Sequence, residues 1–292
     1  MTNSNKDTDF SVIIPYKNAS IYMEKCLDSL NKQIFKDFEV ICVNDNSDDN
    51  SLDIVNSFLK LDERFKNINS EKDIGCGGAR NLGIENAAGK YLVFVDADDW
   101  VDTNLLSKLN DAYKEHPEAD SIWYNYSDFV NDKDYYAKNY VNEGFLKITP
   151  ENILNYPEYA WQKSFKTEFI KNNNIKFTEN LFFEANAFYF HISCCNPKIY
   201  CIPDILYYYR RNPYSITGNR ENLTKRNNHF FKTAIEAYEI VLKNKYDSAY
   251  KDTILEFVSK YISQYKVRRN PFTKAEYSSF LEAIKQLDEQ YN

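Results

Sequence analysis

Lys90-Tyr-Leu-Val-Phe-Val-Asp-Ala-Asp-Asp-Trp100 is an apolar run that ends abruptly in three carboxylates. Tyr91 to Val95 is continuous, aromatic or β-branched, and lacks polar alternation, which predicts a strand buried on both faces. Asp96, Asp98 and Asp99 then fall at its carboxyl end, the edge where open α/β sheets bind ligands. Carboxylates this crowded repel one another unless a cation or a hydroxyl-rich ligand satisfies them. Hard oxygen donors suit Mg²⁺ or Mn²⁺ held jointly by protein and phosphate, so the Asp-x-Asp pair is a candidate clamp for a metal diphosphate. A solvated turn or a helix cap is the plainer use of the same residues.

Working outward, strand and helix patterns alternate with short connections. Phe10 to Tyr16 reads as a first strand, with Ser20 as N-cap of a helix from Ile21 to about Gln33. Phe38 to Val43 is a second strand, Ser51 to Leu61 a helix, and Phe65 to Asn69 a short strand. Gly75-Cys-Gly-Gly-Ala-Arg-Asn81 opens a third helix, which Gly89 closes before Tyr91. This order predicts an α/β fold, a mostly parallel sheet with helices on both faces. Tyr16 and Asn18, Asp45, and Asp96 to Asp99 would then share one sheet edge, as a nucleotide site requires.

Further along, Leu105 to Lys114 reads as a helix and Ser121 to Tyr126 as a strand. The pattern loosens into a hairpin or lid between Ser127 and Thr149. Phe165 to Asn172 looks helical, Leu181 to Cys195 contains an amphipathic helix, and Ile199 to Ile202 and Ile205 to Arg211 read as two strands. From Asn222 onward the apolar spacing is helical.

The glycine cluster does not follow the first strand, and Arg80 stands where a dinucleotide fingerprint has its third glycine. The cluster fits better as a loop that lets the backbone approach a ligand, at a helix N-terminus that favours anions. Arg80 then either reaches a phosphate or pairs with a nearby aspartate.

Composition narrows the function classes. The 292 residues are 43% hydrophobic, ample for a buried core, and a net charge of -7 argues against nucleic-acid binding by broad phosphate neutralisation. No apolar run approaches the roughly 20 residues that span a bilayer, and no leader opens the chain, so a cytoplasmic protein is expected, at most on the inner face of the plasma membrane. The six cysteines lack zinc-like spacing and fit free, packed thiols. His116, His191 and His229 are isolated, and His191 fits a helix residue better than a metal ligand.

Several motifs in order resemble family 2 glycosyltransferases of the GT-A fold. They are Ser11-Val-Ile-Ile-Pro-Tyr-Lys-Asn18, Cys26-Leu-Asp-Ser-Leu30, Phe38-Glu-Val-Ile-Cys-Val-Asn-Asp-Asn-Ser47, Ala79-Arg-Asn-Leu-Gly83 and Phe94-Val-Asp-Ala-Asp-Asp-Trp100. The resemblance continues through Ala160-Trp-Gln-Lys163, Leu181-Phe-Phe-Glu-Ala185 and Leu206-Tyr-Tyr-Tyr-Arg-Arg to Ser215-Ile-Thr217. It implies a catalytic domain over residues 1–218, with the helical pattern left as a separate region over 219–292 that carries no signature of the family, and inverting transfer of a sugar from a nucleoside diphosphate, usually UDP, to a hydroxyl of a bacterial surface glycan such as lipooligosaccharide, capsule or teichoic acid.

By that resemblance Pro15, Tyr16 and Asn18 line the base and ribose, Asp45 accepts from the uracil imide, and Arg80 fixes the nucleotide. Asp96, followed by Ala97, contacts ribose or metal, and Asp98 is the direct ligand of Mn²⁺ or Mg²⁺. Arg210, with Arg211 and Ser215, resembles a clamp over the diphosphate. Asp99, Trp161 and Lys163 fall near the donor sugar and acceptor, although a tryptophan here fits a core equally well. Relatives carry a Glu-Asp pair whose Asp is the general base, whereas this chain has Glu184 followed by Ala185. Glu184 serves instead, or the chain works differently or is inactive, or Ala185 is an engineered substitution. A nucleotide-sugar-binding protein without chemistry and a nucleotidyltransferase are the alternatives. Peripheral membrane contact, including through Lys266-Val-Arg-Arg269, and dimerisation through the C-terminal helices are left open.

Overall fold

A computed structural model of the chain describes residues 8–130, 134–211, 223–266 and 273–291. Ser215 and residues 267–269 lie outside this set. The chain forms two compact units. Of the described residues, those within Met1–Lys147, Tyr159–Asn180 and Pro197–Asn212 make the first, and those within Ile148–Glu158, Leu181–Asn196 and Pro213–Asn292 the second. The expected bounds at 218 cut the sequence once, whereas the units interleave.

The first unit is built on β1 (Phe10–Tyr16), β2 (Phe38–Asn44), β3 (Phe65–Asn69) and β4 (Tyr91–Phe94), paired in parallel in the order β3-β2-β1-β4. Every residue of β1 and β2 is buried, as their unbroken apolar runs require. Side chains alternate between the two faces. Val12, Ile14, Val40 and Val93 join a core with Met23 and Leu27 of α1 (Ser20–Asn31) and Leu105 and Leu109 of α4 (Leu105–Glu115). Ile13 faces the other way, onto α3 (Gly75–Asn86), so closely that a Cβ on Gly83 would lie 2.4 Å from Ile13 Cγ2. The helix α2 (Ser51–Leu61) packs with α1 and β3.

Beyond β4 the sheet is mixed. The strand β9 (Lys163–Lys166) runs antiparallel to β4 and to β6 (Ser121–Val130), and β6 is parallel to β10 (Ile199–Arg210). The short strands β5 (Trp100–Val101), β7 (Asp134–Lys138) and β8 (Gly144–Leu146) pair antiparallel with β10, β6 and β10. The expected hairpin is thus β6–β7, with β6 four residues longer than its apolar core suggested.

Four local readings are corrected. Ser20 is the first residue of α1 rather than its cap; its amide donates to Asp49 Oδ2 at 3.0 Å. Phe165 belongs to β9, and the helix α5 spans Thr167–Asn172. The two strands placed at 199–202 and 205–211 are the single β10, whose pairing with β6 shifts register around Pro203 and Asp204. The helix α6 (Ala185–Cys194) is buried at every position from Asn186 to Ser193 rather than amphipathic.

The second unit joins α6 to α7 (Leu223–Lys243), α8 (Ala249–Lys266) and α9 (Lys274–Tyr291). Aromatic rings make its core: Phe230 stacks on Tyr261 with centroids 3.6 Å apart, and Phe231 on Phe280 at 5.2 Å. No helix among the described residues is long and apolar enough to cross a membrane. The six cysteines are thiols, none of them in a disulfide.

Candidate functional site

Because β2, β1 and β4 are parallel neighbours, their carboxyl ends deliver three loops to one edge of the first unit. The first two loops are stitched together by short polar side chains. Asn18, at φ 52°, a left-handed conformation that asparagine tolerates, takes the Asp48 amide on Oδ1 at 2.9 Å and donates its own amide to Ser47 Oγ at 3.1 Å. Asp49 holds the start of α1 and α2 through the amides of Ser20 and Ser51. Burial pushes its carboxyl upward, but hydrogen bonds from Ser51 and Ser20 outweigh that and hold it down to about 2. Pro15 is buried within β1. Tyr16 is 3% exposed, with its hydroxyl turned to Asn67 Oδ1 at 2.7 Å.

Asp45 ties the second loop to α3. Its carboxylate accepts the amides of Ile74 at 2.7 Å and Gly75 at 3.1 Å, so the anion that this helix N-terminus attracts is supplied by the protein itself. That corrects the expectation of a backbone loop open to a ligand phosphate. Gly75, at φ 70°, is needed because a Cβ there would lie 3.1 Å from Asn180 Cα. One and a half turns along α3, Arg80 is 4% exposed and donates from Nη2 to Asp96 Oδ1 at 2.6 Å. Of the two roles considered for Arg80, pairing with an aspartate is what the structure shows, and the partner belongs to the acidic cluster.

Asp96-Ala97-Asp98-Asp99 is a tight turn closed by Asp99 N–H on the Asp96 carbonyl at 3.0 Å. Its carboxylates divide by burial. Asp99 is 1% exposed and accepts the Tyr207 hydroxyl at 2.7 Å and the Arg210 amide at 2.7 Å. Burial pushes its carboxyl well above the usual range and the charges of Asp98 and Asp96 push it further, against the pull of those two hydrogen bonds. Asp96 and Asp98 are only partly buried. Arg210, at the end of β10, donates from Nε to the Asp98 carbonyl at 3.0 Å, and its guanidinium lies 4.8 Å from the Tyr22 ring and 4.9 Å from that of Trp100. Its neighbour Arg211 pairs instead with Asp128 at 2.6 Å.

Asp96, Ala97, Asp98, Asp99, Arg80 and Arg210 are therefore brought together. Trp161 and Lys163 are not pocket walls. Trp161 is 5% exposed and stacked between Tyr159 at 4.7 Å and Tyr207 at 4.4 Å. Lys163, 1% exposed, donates to the Tyr159 carbonyl at 2.7 Å and lies 4.6 Å from the Trp123 ring. With Asp99 they support the residues around them.

Glu184 and Ala185 belong to the second unit. Glu184 immediately precedes α6, Ala185 opens it, and the first turn carries no acidic residue. Phe183 just before them has φ 64°, a conformation that costs a bulky residue about 1–3 kcal/mol. The Phe182 amide donates to His229 Nδ1 at 3.0 Å. His191 is 7% exposed within α6, a packed helix residue.

Sequence reasoning missed Tyr207, Tyr22 and Asp49. Tyr207 lies in a run of three tyrosines, and in a chain with 24 of them no single tyrosine stood out.

The chain is similar to known glycosyltransferases. Residues 11–194 match the family model described as glycosyl transferase family 2. The glycosyltransferase GlyG of Streptococcus pneumoniae serotype 4 is 30% identical over 230 residues, 73% of this chain and 74% of GlyG. EpsJ of Bacillus subtilis (strain 168), described as an uncharacterized glycosyltransferase, is 28% identical over 71% of this chain, which spans 62% of EpsJ. A crystal structure of Staphylococcus aureus TarS residues 1–349 in complex with UDP superimposes with a TM-score of 0.70 at 27% identity, over 88% of this chain and 72% of that one. Whole TarS is named a poly(ribitol-phosphate) β-N-acetylglucosaminyltransferase, and this chain spans 44% of it.

Proposed function

The chain belongs to glycosyl transferase family 2 and has that family's GT-A fold, and from this premise we propose that it transfers a sugar from a UDP-sugar, with inversion, to a hydroxyl of a bacterial surface glycan of teichoic-acid or exopolysaccharide type. The observation that carries the reading is the Asp96–Asp99 turn at the end of the parallel strands, with Arg80 and Arg210 anchored to it. Asp96 and Asp98 are partly buried at that edge, with the Arg210 guanidinium beside them, which suits a diphosphate that arrives with a bound divalent cation. The UDP complex of TarS supports the nucleotide, and the name of TarS supports the acceptor class.

The donor set fits Mn²⁺ or Mg²⁺. Among the described residues no group of three or more His, Cys, Asp or Glu side chains is arranged to hold a metal. Two carboxylates suffice for an ion of this kind, which completes its shell from phosphate and water. Asp98 and Asp96 are the residues that would hold it; when bound it neutralises the charge that grows on the departing diphosphate. Arg80 orients Asp96 through their 2.6 Å ion pair. Arg210, flanked by Tyr22 and Trp100, sets its own guanidinium charge beside the turn. An acceptor hydroxyl needs a base in line with the bond that breaks, and Glu184 is the carboxylate beside the position where relatives carry that base.

Ala185 favours a second reading, a protein that binds nucleotide sugars without turning them over. One experiment separates the two: UDP release from a panel of UDP-sugars, with Mn²⁺ and with chelator, beside calorimetric UDP binding. Metal-dependent UDP release supports the transferase. Binding without release supports the second reading, and release of pyrophosphate from a nucleoside triphosphate would identify a nucleotidyltransferase instead.

A further inference from the structure

Tyr207 stands at the centre of the acidic turn. Its side chain is fully buried, and its ring lies nearly parallel to Trp161, 15° off at 4.4 Å. A hydroxyl offers one proton and two lone pairs. The Asp96 amide can only donate, so Tyr207 Oη accepts it at 3.1 Å and turns its own proton to Asp99 Oδ2 at 2.7 Å. Asp99 Oδ1 takes the Arg210 amide at 2.7 Å, and Arg210 Nε returns to the Asp98 carbonyl at 3.0 Å. The circuit runs from Asp96 through Tyr207, Asp99 and Arg210 to Asp98. At Asp96 and Asp98 it uses backbone atoms rather than carboxylates.

Backbone pairing does not require this circuit. The ladder between β5 and β10 joins Tyr207 to Val101 and Tyr208 to Trp100, and Asp102 N–H adds a bond to the Leu206 carbonyl at 3.0 Å. Residues 96–99 precede that ladder and lie outside it. What the circuit specifies is the turn itself. Burying the Asp99 carboxylate is costly, and an apolar side chain would pack at lower cost.

We propose that Tyr207 and Asp99 are positioning residues of the diphosphate site, which set the carboxylates of Asp96 and Asp98 and the guanidinium of Arg210 in one register for phosphate and cation together. This rests on the function proposed above. Tyr207→Phe keeps the ring and its stack on Trp161 and removes only the hydroxyl. Asp99→Asn is the companion variant: its single amide oxygen can stand in for Oδ2 and accept the Tyr207 proton or for Oδ1 and accept the Arg210 amide, but not both.

The test is calorimetric titration with UDP, in Mn²⁺ and in chelator, beside thermal melting. The expected result is that each variant remains folded and loses about tenfold in UDP affinity with Mn²⁺, while affinity in chelator changes much less. In a double-mutant cycle with Arg210→Lys the losses combine less than additively. A purely structural tyrosine would lower the melting temperature and leave the gain in affinity from Mn²⁺ unchanged, and that outcome overturns the proposal. If the unaltered protein shows no Mn²⁺-dependent UDP binding, the proposed function falls and this inference with it. If the unaltered protein binds and both variants match it, only the positioning roles fall.

Discussion

Arg80 and Asp96 form an ion pair at 2.6 Å in which the cation is 4% exposed and the anion 25% exposed. The charge brought by α3 is sealed inside, while the carboxylate it orients keeps access to solvent. That asymmetry sets the pair apart from a surface salt bridge, whose net contribution is commonly below about 1 kcal/mol.

Replacing Arg80 by Gln therefore removes a buried partner and leaves Asp96 beside Asp98 without compensation. We expect a loss of stability of about 2–4 kcal/mol and UDP affinity about tenfold weaker. Urea unfolding and calorimetry check both; unchanged UDP affinity would show that the pair only braces the fold.

Asp98→Asn preserves size and removes charge. UDP release from the preferred donor should fall by about a hundredfold or more, and added Mn²⁺ should not restore it. Asp28→Asn, on the surface of α1, serves as the control for a general charge effect. Mn²⁺ rescue of Asp98→Asn would move the metal away from Asp98.

Ala185→Asp places a carboxylate at the start of α6. General bases contribute about a hundredfold to ten-thousandfold, so turnover measured by donor consumption should rise at least about a hundredfold with little change in UDP affinity. If turnover does not rise, position 185 is not where the base belongs in this chain.

His191 gives the pH dependence of the second unit. Burial lowers its pKa from 6.5 to about 4, so the folded unit keeps the ring neutral where the unfolded chain protonates it. Its contribution is present above the ordinary value and is lost as pH falls from about 6.5 through about 4, up to about 3 kcal/mol. His191→Gln should flatten the fall in melting temperature between about pH 7 and pH 4 by several degrees. A parallel fall in both proteins would mean that other groups dominate.

The half of the fold that carries the nucleotide edge was legible because β1, β2 and β4 are unbroken apolar runs with short polar exits. The other half was not. Lys163-Ser-Phe-Lys166 has no strand signature of its own and becomes β9 by pairing with β4 and β6, partners distant in sequence. Pro203 and Asp204 split β10 on paper, whereas the strand absorbs them as a register shift. The carboxylates of the site could be read from the chain, but their division of labour could not. Whether an aspartate points to solvent or to Tyr207 depends on β10, more than a hundred residues later. The two amides that α3 places against Asp45 could not be read from the chain either.

The central claim is that Asp98, on the turn braced by Arg80 and Arg210, meets the cation of a nucleoside diphosphate. A crystal soaked with UDP and Mn²⁺ tests it most directly, through the anomalous signal of manganese. The account predicts a manganese peak within about 2.2 Å of an Asp98 carboxylate oxygen, bridging to both phosphates. Bound UDP with no peak there, or with Asp98 turned away from it, would contradict it.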